Sequence, residues 1–393
     1  MIDLAVIFGS RAAEHDVSII TGLQALENAD KSRFNAFPVY ISQSGEWFIG
    51  EPLKEIKTYR DFNPNVKGIQ KVILPPVPGS GGLYACGGGL FGAKYVKVQN
   101  IDCAFLALHG MHGEDGTIQG LMELADIPYT GSGVIGSAVS MDKVLMKAVF
   151  QSMGLPVLEG VWFYRARWQR EQDVIVEEAE KLSYPLFIKP ANLGSSIGIA
   201  KAVDRDTLIS AVETALAFDK KVLIEKGLDK PVEVNCACLG FEDDVTVSLC
   251  EQPQSWADYL SFEDKYMRGS GKGGMGGMKG LSRKIPAPVG DELTETIKKY
   301  TSRIFRALEC RGVVRVDYMI DSADGRLYVN EINSIPGSMA FYLFEPLGIT
   351  FRQLVGRLVE AAYEAAEQKR ASTFAHNSAI LERAERSTKI YKK

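Results

Sequence analysis

The sequence lacks the features that would place it at once among membrane, secreted or nucleic-acid-binding proteins. No run approaches the roughly 18 apolar residues of a membrane-spanning helix. The first residues, MIDLAVIFGS, have no basic segment of a signal peptide and predict a first strand. The formal net charge of −4 gives no reason to expect nucleic acid or an anionic membrane as a partner. A cytoplasmic globular protein is therefore the expectation.

Cysteine pairs spaced for metal binding or disulfide exchange are also absent. None of the six cysteines forms a CxxC pair, and no Ser-His-Asp or Cys-His arrangement stands out. Cys236 and Cys238 share one face of a predicted strand, where a metal or redox role competes with core packing. We favour core packing for this pair and a reduced protein.

The apolar patterns that are present predict an α/β protein of more than one lobe. A chain of 393 residues is too long for one core, and residues 1–40 predict a βαβ unit with a parallel sheet. Glycine and proline breakers in residues 51–100 indicate an insertion or hairpin. A domain boundary is expected near residue 140, with Ser140 as the N-cap of the following helix.

One predicted hairpin carries charges at regular spacing. In RVDYMIDSADGRLYVNEIN, residues 315–333, an acidic glycine-containing turn joins two apolar runs. A side-chain period of two puts Arg315 and Asp317 on one face of the first strand, and Glu331 and Asn333 on one face of the second strand. Converging carboxylates suit a hard cation such as Mg²⁺, whereas a surface hairpin neutralised by Arg315 is the structural alternative.

Two glycine-rich segments require opposite interpretations. RGSGKGGMGGMKG, residues 268–280, contains a formal GxGxxG but no strand-to-helix turn, so a closing loop is favoured over a nucleotide fingerprint. KPANLGSSIGIAK, residues 189–201, joins two predicted strands, and its backbone amides and serine hydroxyls suit phosphate oxygens. Lys189 and Lys143 can add point charges there, although either lysine alone also fits an exposed surface.

Two further residues follow predicted strands, where an α/β sheet places its ligands. Glu14, in FGSRAAEHDVS, can receive an ammonium group or simply complement the dipole at a helix start. For His109, in LALHG, a core histidine is the favoured interpretation when the residue is taken on its own.

Together these segments resemble the D-alanine–D-alanine ligase family of the ATP-grasp superfamily. The resemblance covers nearly the whole chain, from residue 3 to residue 360. The motifs that carry it are, in order, EHDVS, LHGMHGEDGTIQG, IPYTGSG, MDK, FIKPANLGSSIG, LIEK, EDKY, RVDYM and NEIN-x-x-PG.

The resemblance implies an α/β fold, α+β in the ATP-grasp part, with a three-lobed architecture. Its parts are an N-terminal parallel βαβ domain at 1–139, a central lobe with the Gly/Ser loop at 140–233, a C-terminal lobe with the metal site and lid at 234–370, and a tail at 371–393. The implied ligands are ATP, two Mg²⁺ ions for which Mn²⁺ can substitute, and D-alanine. A homodimer is also expected.

The resemblance also assigns roles to individual residues. The implied metal ligands are Asp317, Glu331 and Asn333. The implied nucleotide-binding residues are Lys143, Lys189, Ser195, Glu225, Lys226, Leu228, Glu233, Lys265 and Asn333. The implied catalytic residues are Glu14, Ser195, Tyr266, Arg315 and Gly337, and the implied amino-acid-binding residues are Glu14, His109 and Tyr342.

The implied reaction joins two D-alanines for peptidoglycan synthesis. ATP phosphorylates one carboxylate, and the amine of the second amino acid attacks the acyl phosphate. Arg315 and the Gly337 N–H would stabilise the oxyanion, and Glu14 would hold the first ammonium group. Ser195 and Tyr266 would orient that substrate and help to close the site.

The sequence departs from the family pattern at the second substrate. The fifth residue after the PG turn is usually a serine that binds the carboxylate of the second D-alanine, and here it is Tyr342. Tyr266 favours an amine nucleophile over a hydroxy acid. A D-alanine–D-alanine ligase is therefore the favoured interpretation. A ligase for another pair, such as D-alanine with D-serine, and a non-catalytic ATP-binding module are the alternatives.

Overall fold

The computed structural model describes residues 1–89, 92–253, 283–373, 379–381 and 383–384. Lys265, Tyr266, the glycine-rich lid and most of the tail lie outside the described residues. None of the helices in the described part of the chain has the length and apolar content needed to cross a bilayer.

The N-terminal part is a mixed sheet with flanking helices. Its elements are β1 (Ile2–Gly9), α1 (His15–Asn28), β2 (Phe34–Ile41), β3 (Trp47–Ile49), β4 (Gln70–Val72), β5 (Gly82–Gly89), β6 (Gly92–Asn100), β7 (Cys103–Leu106) and α2 (Thr117–Ala125). The sheet order is β4-β3-β2-β1-β7, and β1 pairs in parallel with β2 and β7. The predicted βαβ unit is confirmed, and β5 and β6 form the predicted hairpin.

The central part is an antiparallel sheet that follows two short helices. Its elements are α3 (Val134–Met141), α4 (Lys143–Ser152), β8 (Gly160–Tyr164), α5 (Arg165–Glu180), β9 (Leu186–Pro190), β10 (Ala200–Ala202), α6 (Arg205–Phe218) and β11 (Lys221–Lys226). The sheet order is β10-β9-β11-β8. The two strands predicted on either side of the Gly/Ser loop are β9 and β10, which pair antiparallel.

The prediction that Ser140 caps the lysine-bearing helix is wrong. Ser140 lies inside α3, and Asp142 caps α4 by accepting hydrogen bonds from the N–H groups of Val144 and Leu145 at 3.0 and 3.1 Å. A carboxylate caps a helix as well as a hydroxyl does. The Asp142 cap is also fixed by Lys221 at 2.8 Å, so the start of α4 is held against β11.

The C-terminal part is an antiparallel sheet backed by a long helix. Its elements are β12 (Val232–Phe241), β13 (Asp244–Val247), β14 (Gln252–Pro253), β15 (Arg283–Lys284), α7 (Asp291–Ala307), β16 (Arg311–Ile320), β17 (Leu327–Asn333) and α8 (Phe351–Ala371). The sheet order is β13-β12-β16-β17. A 3-10 segment, Gly337–Leu343, follows β17.

The buried hydrophobic residues form separate cores, and one of them spans both the N-terminal and the C-terminal parts. One core joins the N-terminal sheet to α8 and to Val313 on β16. The central sheet has its own core, which contains Ile188 and Val222. Cys236 and Cys238 are buried in a third core beneath the C-terminal sheet, so the packing role favoured for them is confirmed.

Candidate active site

The β16–β17 hairpin presents four polar side chains on one face. Arg315 lies opposite Asn333, and Asp317 lies opposite Glu331. Directly opposed residues of antiparallel strands point to the same face. Buried Val314, Val316 and Tyr318 alternate with the polar residues of β16 and pack into the core, so Arg315 and Asp317 face the other way.

The charges of the hairpin are paired within the protein. Arg315 donates from Nε to Asp317 Oδ1 at 2.6 Å and from Nη2 to Oδ2 at 2.7 Å, while Asn333 Nδ2 lies 3.1 Å from Oδ2. Burial would lower the pKa of Arg315, but the charge of Asp317 raises it well above its usual value. Glu331 pairs instead with Lys143 at 3.3 Å. A metal ion bound by Asp317 would therefore compete with Arg315 for the same carboxylate.

The donor set of this hairpin fits Mg²⁺. Asp317, Glu331 and Asn333 offer carboxylate and amide oxygens, which this hard cation prefers. Within the described residues, no group of three or more His, Cys, Asp or Glu side chains is suited to hold a metal. Where substrate phosphates complete the coordination of Mg²⁺, the protein commonly supplies only one or two carboxylates.

Lys143 and Lys189 reach the same cleft from different elements. Lys143, the first residue of α4, donates to the Leu193 carbonyl at 2.9 Å. Lys189, on β9, lies 2.5 Å from Glu225 Oε2 on the neighbouring strand. Both lysines are buried, so the alternative of solvated surface groups is excluded for this structure.

Lys147 is a charged residue next to the cleft that sequence reasoning missed. Its Nζ lies 2.5 Å from Glu225 Oε1, so the carboxylate of Glu225 is shared between Lys147 and Lys189. Burial raises the pKa of Glu225, but the two lysines outweigh it and hold the value at about 2. The four-residue spacing from Lys143 was the available signal, because it places both lysines on one helix face.

Five of the implied nucleotide-binding residues line one cleft between the central and C-terminal sheets, whereas Lys143, Ser195 and Asn333 do not line it. Glu225, Lys226, Leu228 and Glu233 line it together with Lys189. The apolar walls of the cleft are formed by Leu158, Phe187, Ile199 and Met319. Apolar walls with a few polar groups are typical of a small-molecule site.

Glu14 lies just before α1 and is almost fully buried. Neither of its oxygens accepts a well-oriented hydrogen bond from any residue that the structure describes. Burial raises the pKa of Glu14, and its own amide, the nearby Ser195 hydroxyl and the charge of Lys143 offset this in part. A buried carboxylate without a firm partner suits a cationic ligand such as a substrate ammonium group.

Glycine at two positions permits the close approach to Glu14. A Cβ on Gly110 would lie 2.2 Å from Glu14 Oε2, and one on Gly194 would lie 2.9 Å from Oε1. Ser195 and Ser196 follow Gly194 with φ of 55° and 59°, so the Gly/Ser loop turns sharply beside the carboxylate. The loop predicted to bind phosphate therefore also walls the Glu14 site.

His109 has the surroundings of a core histidine. Nε2 lies 2.8 Å from Thr21 Oγ1 and Nδ1 lies 2.9 Å from the Ile335 carbonyl, so both ring nitrogens are engaged within the protein. Burial lowers the pKa of His109 to about 4. As placed, His109 supports the turn after β17 and offers no ring nitrogen for direct contact with a substrate.

The buried His109 is expected to make stability depend on pH. The unfolded state takes up a proton on His109 near pH 6.5 whereas the folded state does so only near pH 4, so the contribution of His109 to stability falls as pH drops through this window, by about 2 kcal/mol at pH 5. Urea unfolding of the wild type and of His109→Gln at pH 7.5 and 5 tests this. The stability advantage of the wild type should shrink at pH 5, and an advantage independent of pH would contradict it.

Glu114 is a second carboxylate near Glu14 that the motif contained but gave no reason to single out. Its oxygens accept hydrogen bonds from the amides of Gly110 at 2.8 Å and Ile335 at 3.1 Å. Burial raises the pKa of Glu114 to about 7, and the charge of Glu14 adds to this effect. Glu114 thus connects the loop after β7 to the turn that leads to Gly337.

Tyr342 is directed into a polar cluster that sequence reasoning also missed. Its hydroxyl donates to Glu251 Oε1 at 2.9 Å, and Arg283 lies 3.1 Å from Glu251 Oε2. The guanidinium of Arg283 stacks 4.0 Å above the Tyr342 ring. Asn235, on the cleft face of β12 opposite Asp317, donates to the same Glu251 oxygen at 3.0 Å. The Tyr342 hydroxyl is therefore committed to a carboxylate of the protein.

A cleft between two antiparallel sheets, lined by lysines and opposed carboxylates, defines an ATP-grasp ligase. The family model for the D-ala D-ala ligase N-terminus matches residues 3–132, and the model for the D-ala D-ala ligase C-terminus matches residues 149–360. The chain belongs to the D-alanine–D-alanine ligase family, whose members are ATP-dependent ligases.

Individual relatives match along almost the whole chain. The D-alanine–D-alanine ligase of Thermosipho africanus is 35% identical over 97% of this chain and 99% of its own, and that of Thermosipho melanesiensis is 37% identical over 94% and 96%. The solved VanG D-Ala:D-Ser ligase from Enterococcus faecalis is 30% identical, with a TM-score of 0.76 over 92% of this chain and 99% of its own. The ligase from Bacillus anthracis complexed with ATP, 24% identical, has the same fold with a TM-score of 0.65 over 94% and 100%.

Proposed function

We propose that the protein is a D-alanine–D-alanine ligase that supplies a dipeptide for peptidoglycan precursors in the cytoplasm. The observation that carries this proposal is the position of Lys143. Its ammonium group lies 3.3 Å from Glu331 and is close enough to Glu14 to lower the pKa of that carboxyl. One lysine thereby lies between the proposed metal ligand and the proposed site for the first amino acid.

The proposed first step is phosphorylation of the carboxylate of the first D-alanine. Glu14 holds the ammonium group, and Ser195 beside it orients the substrate. Lys143 and Lys189 neutralise phosphate oxygens. Asp317, Glu331 and Asn333 would hold Mg²⁺, which supplies charge neutralisation on the transferred phosphoryl group.

The proposed second step is attack of the neutral amine of the second amino acid on the acyl phosphate, which forms the peptide C–N bond and breaks the C–O bond to release phosphate. Arg315 and the N–H of Gly337 stabilise the tetrahedral oxyanion. Arg315 is paired with Asp317 at 2.6 Å, so it has to turn from that carboxylate to face the substrate. Exclusion of water matters here because water also hydrolyses an acyl phosphate.

The test is phosphate release from Mg-ATP, with mass detection of the products, for D-alanine, D-serine, D-lactate, glycine and L-amino acids. A dominant D-alanyl-D-alanine product is the expected result. ATP binding without ligation of any pair would overturn the proposed activity.

A mixed pair such as D-alanine and D-serine is the second candidate, and the cluster around Tyr342 favours it. Replacing a small serine with a buried tyrosine fills space where the second amino acid is expected to lie. The Glu251 and Arg283 charges next to that ring also add polarity that a methyl side chain does not require.

Two substitutions at Tyr342 separate the effect of ring volume from that of the hydroxyl. Tyr342→Ser is expected to change the kcat/KM ratio of D-alanine to D-serine as second substrate by about tenfold or more, because it opens the pocket. Tyr342→Phe should change the ratio by less than about threefold, because the hydroxyl is used by Glu251. Tyr184→Phe, which removes a similar bond to Glu180, is the control. An unchanged ratio in Tyr342→Ser would mean that other residues select the second substrate.

The three-lobed division and the homodimer are further parts of this proposal. The lobe boundaries are proposed at 139/140, 233/234 and 370/371, just inside the ends of α3, β12 and α8. Limited proteolysis with mass detection of the fragments tests them, with cuts expected in the loops next to these ends. Light scattering of the purified protein tests the dimer, for which twice the monomer mass of 43.1 kDa is expected.

A further inference from the structure

Lys147 has no role in the reaction steps above, yet it is a buried charge paired with a residue that lines the cleft. Its side chain is 8% exposed, and that of its partner Glu225 is 1% exposed. A buried charge is tolerated only when it is paired, and removal of one partner leaves the other uncompensated. The pair therefore calls for an explanation in terms of Glu225.

Glu225 is held by two lysines where one would neutralise it. Lys147 lies 2.5 Å from one carboxylate oxygen, and Lys189 lies 2.5 Å from the other. The two lysines approach from separate elements, because Lys147 belongs to α4 and Lys189 to β9. Each oxygen of Glu225 thus has its own cation.

The two lysines differ in what else they can reach. Lys189 also lies 3.4 Å from Asn330 Oδ1, next to the metal hairpin, and it lines the open cleft with Glu331. Lys147 does not line that cleft among the described residues, and its ion pair is with Glu225. Phosphates entering the cleft can therefore attract Lys189 away from Glu225, whereas Lys147 stays behind the carboxylate.

We propose that Lys147 is a positioning residue for nucleotide binding, which keeps Glu225 neutralised and in place when Lys189 turns to the phosphates of ATP. This inference rests on the proposed function. Without Lys147, Lys189 would leave a buried carboxylate uncompensated, so it would stay on Glu225 and bind phosphate poorly. The loss should concern phosphate-bearing ligands, because Lys189 leaves Glu225 only for them.

The experiment is equilibrium binding of Mg-ATP and of adenosine to the full-length protein, measured by calorimetry without amino-acid substrates. Lys147→Met is expected to weaken ATP binding by about tenfold or more and adenosine binding by less than about threefold. Lys147→Arg, which keeps the charge, should bind ATP within about threefold of the wild type. Lys220→Met, which removes an exposed lysine beside β11, is the matched control and should leave both affinities unchanged.

A double variant tests the mechanism even if Lys147→Met alone folds poorly. In the Glu225→Gln background no carboxylate has to be neutralised, so adding Lys147→Met should weaken ATP binding by less than about threefold. The inference is overturned if Lys147→Met weakens ATP and adenosine binding equally, or if it weakens ATP binding as much in the Glu225→Gln background as in the wild type. Either result would assign Lys147 to core packing alone. Failure of the wild type to bind Mg-ATP would instead overturn the proposed function.

Discussion

Asp317→Asn is expected to lower kcat by about a thousandfold while the protein stays folded. An amide is a weaker ligand than a carboxylate for a hard cation, so the charge on the transferred phosphoryl group loses much of its neutralisation. The substitution also releases Arg315, which Asp317 holds through two hydrogen bonds. Steady-state kinetics over a range of Mg²⁺ and Mn²⁺ concentrations measures both effects, and saturation should require more metal than in the wild type.

The same hairpin supplies a matched control for Asp317. Asp324 pairs with Arg326 in the exposed turn, so Asp324→Asn removes a carboxylate and an arginine partner without touching the cleft. Its kcat should stay within about twofold of the wild type, since surface ion pairs contribute little. If Asp317→Asn kept activity at a level similar to Asp324→Asn, the hairpin would be a salt-bridged structural element and not a metal site.

Glu14→Gln is expected to raise the KM for the first D-alanine by about a hundredfold or more, with little change in the KM for ATP. The amide keeps the shape of the carboxyl but cannot neutralise an ammonium group in a buried site. Because burial without a firm partner raises the pKa of Glu14, its charged form destabilises the folded state at neutral pH. The substitution should therefore raise the melting temperature as it lowers substrate affinity.

Glu27→Gln is the control for Glu14, because Glu27 lies near the other end of α1 and is exposed. It should change neither the KM for D-alanine nor the melting temperature. A Glu14→Gln protein that melts at lower temperature and keeps its affinity for D-alanine would mean that Glu14 only stabilises the start of α1.

Local patterns in the sequence were sufficient to predict much of the fold and the polar face of the β16–β17 hairpin. The period of two predicted that Arg315 and Asp317 share a face, because that spacing follows from strand geometry alone. The prediction of Ser140 as the cap of α4 is wrong because Ser140 and Asp142 are both residue types that favour the N-cap position. Only the backbone of the folded chain, which is extended at Asp142, distinguishes them.

The missed residues share a different cause. The Lys147–Glu225 pair and the Tyr342–Glu251–Arg283 cluster are made by elements far apart in sequence. The spacing of Lys143 and Lys147 places both on one helix face, but no spacing reveals the partners of Lys147 and Tyr342. A lysine on an amphipathic helix looks like a surface group until its partner strand is known. Family motifs supplied residue roles, but the protein's own ion pairs determine where the side chains lie before ligands bind.

The two hydrogen bonds that Glu114 accepts from the amides of Gly110 and Ile335 have a consequence for motion. They fasten the loop after β7 to the turn after the β16–β17 hairpin, and these two parts already share one hydrophobic core. The central sheet has a separate core, so it is the part that can rotate about a hinge relative to the rest of the molecule. Such a rotation would move Lys189 and the Gly/Ser loop toward the nucleotide, so it would shift one wall of the Glu14 site while Glu14 and the turn after β17 keep their positions.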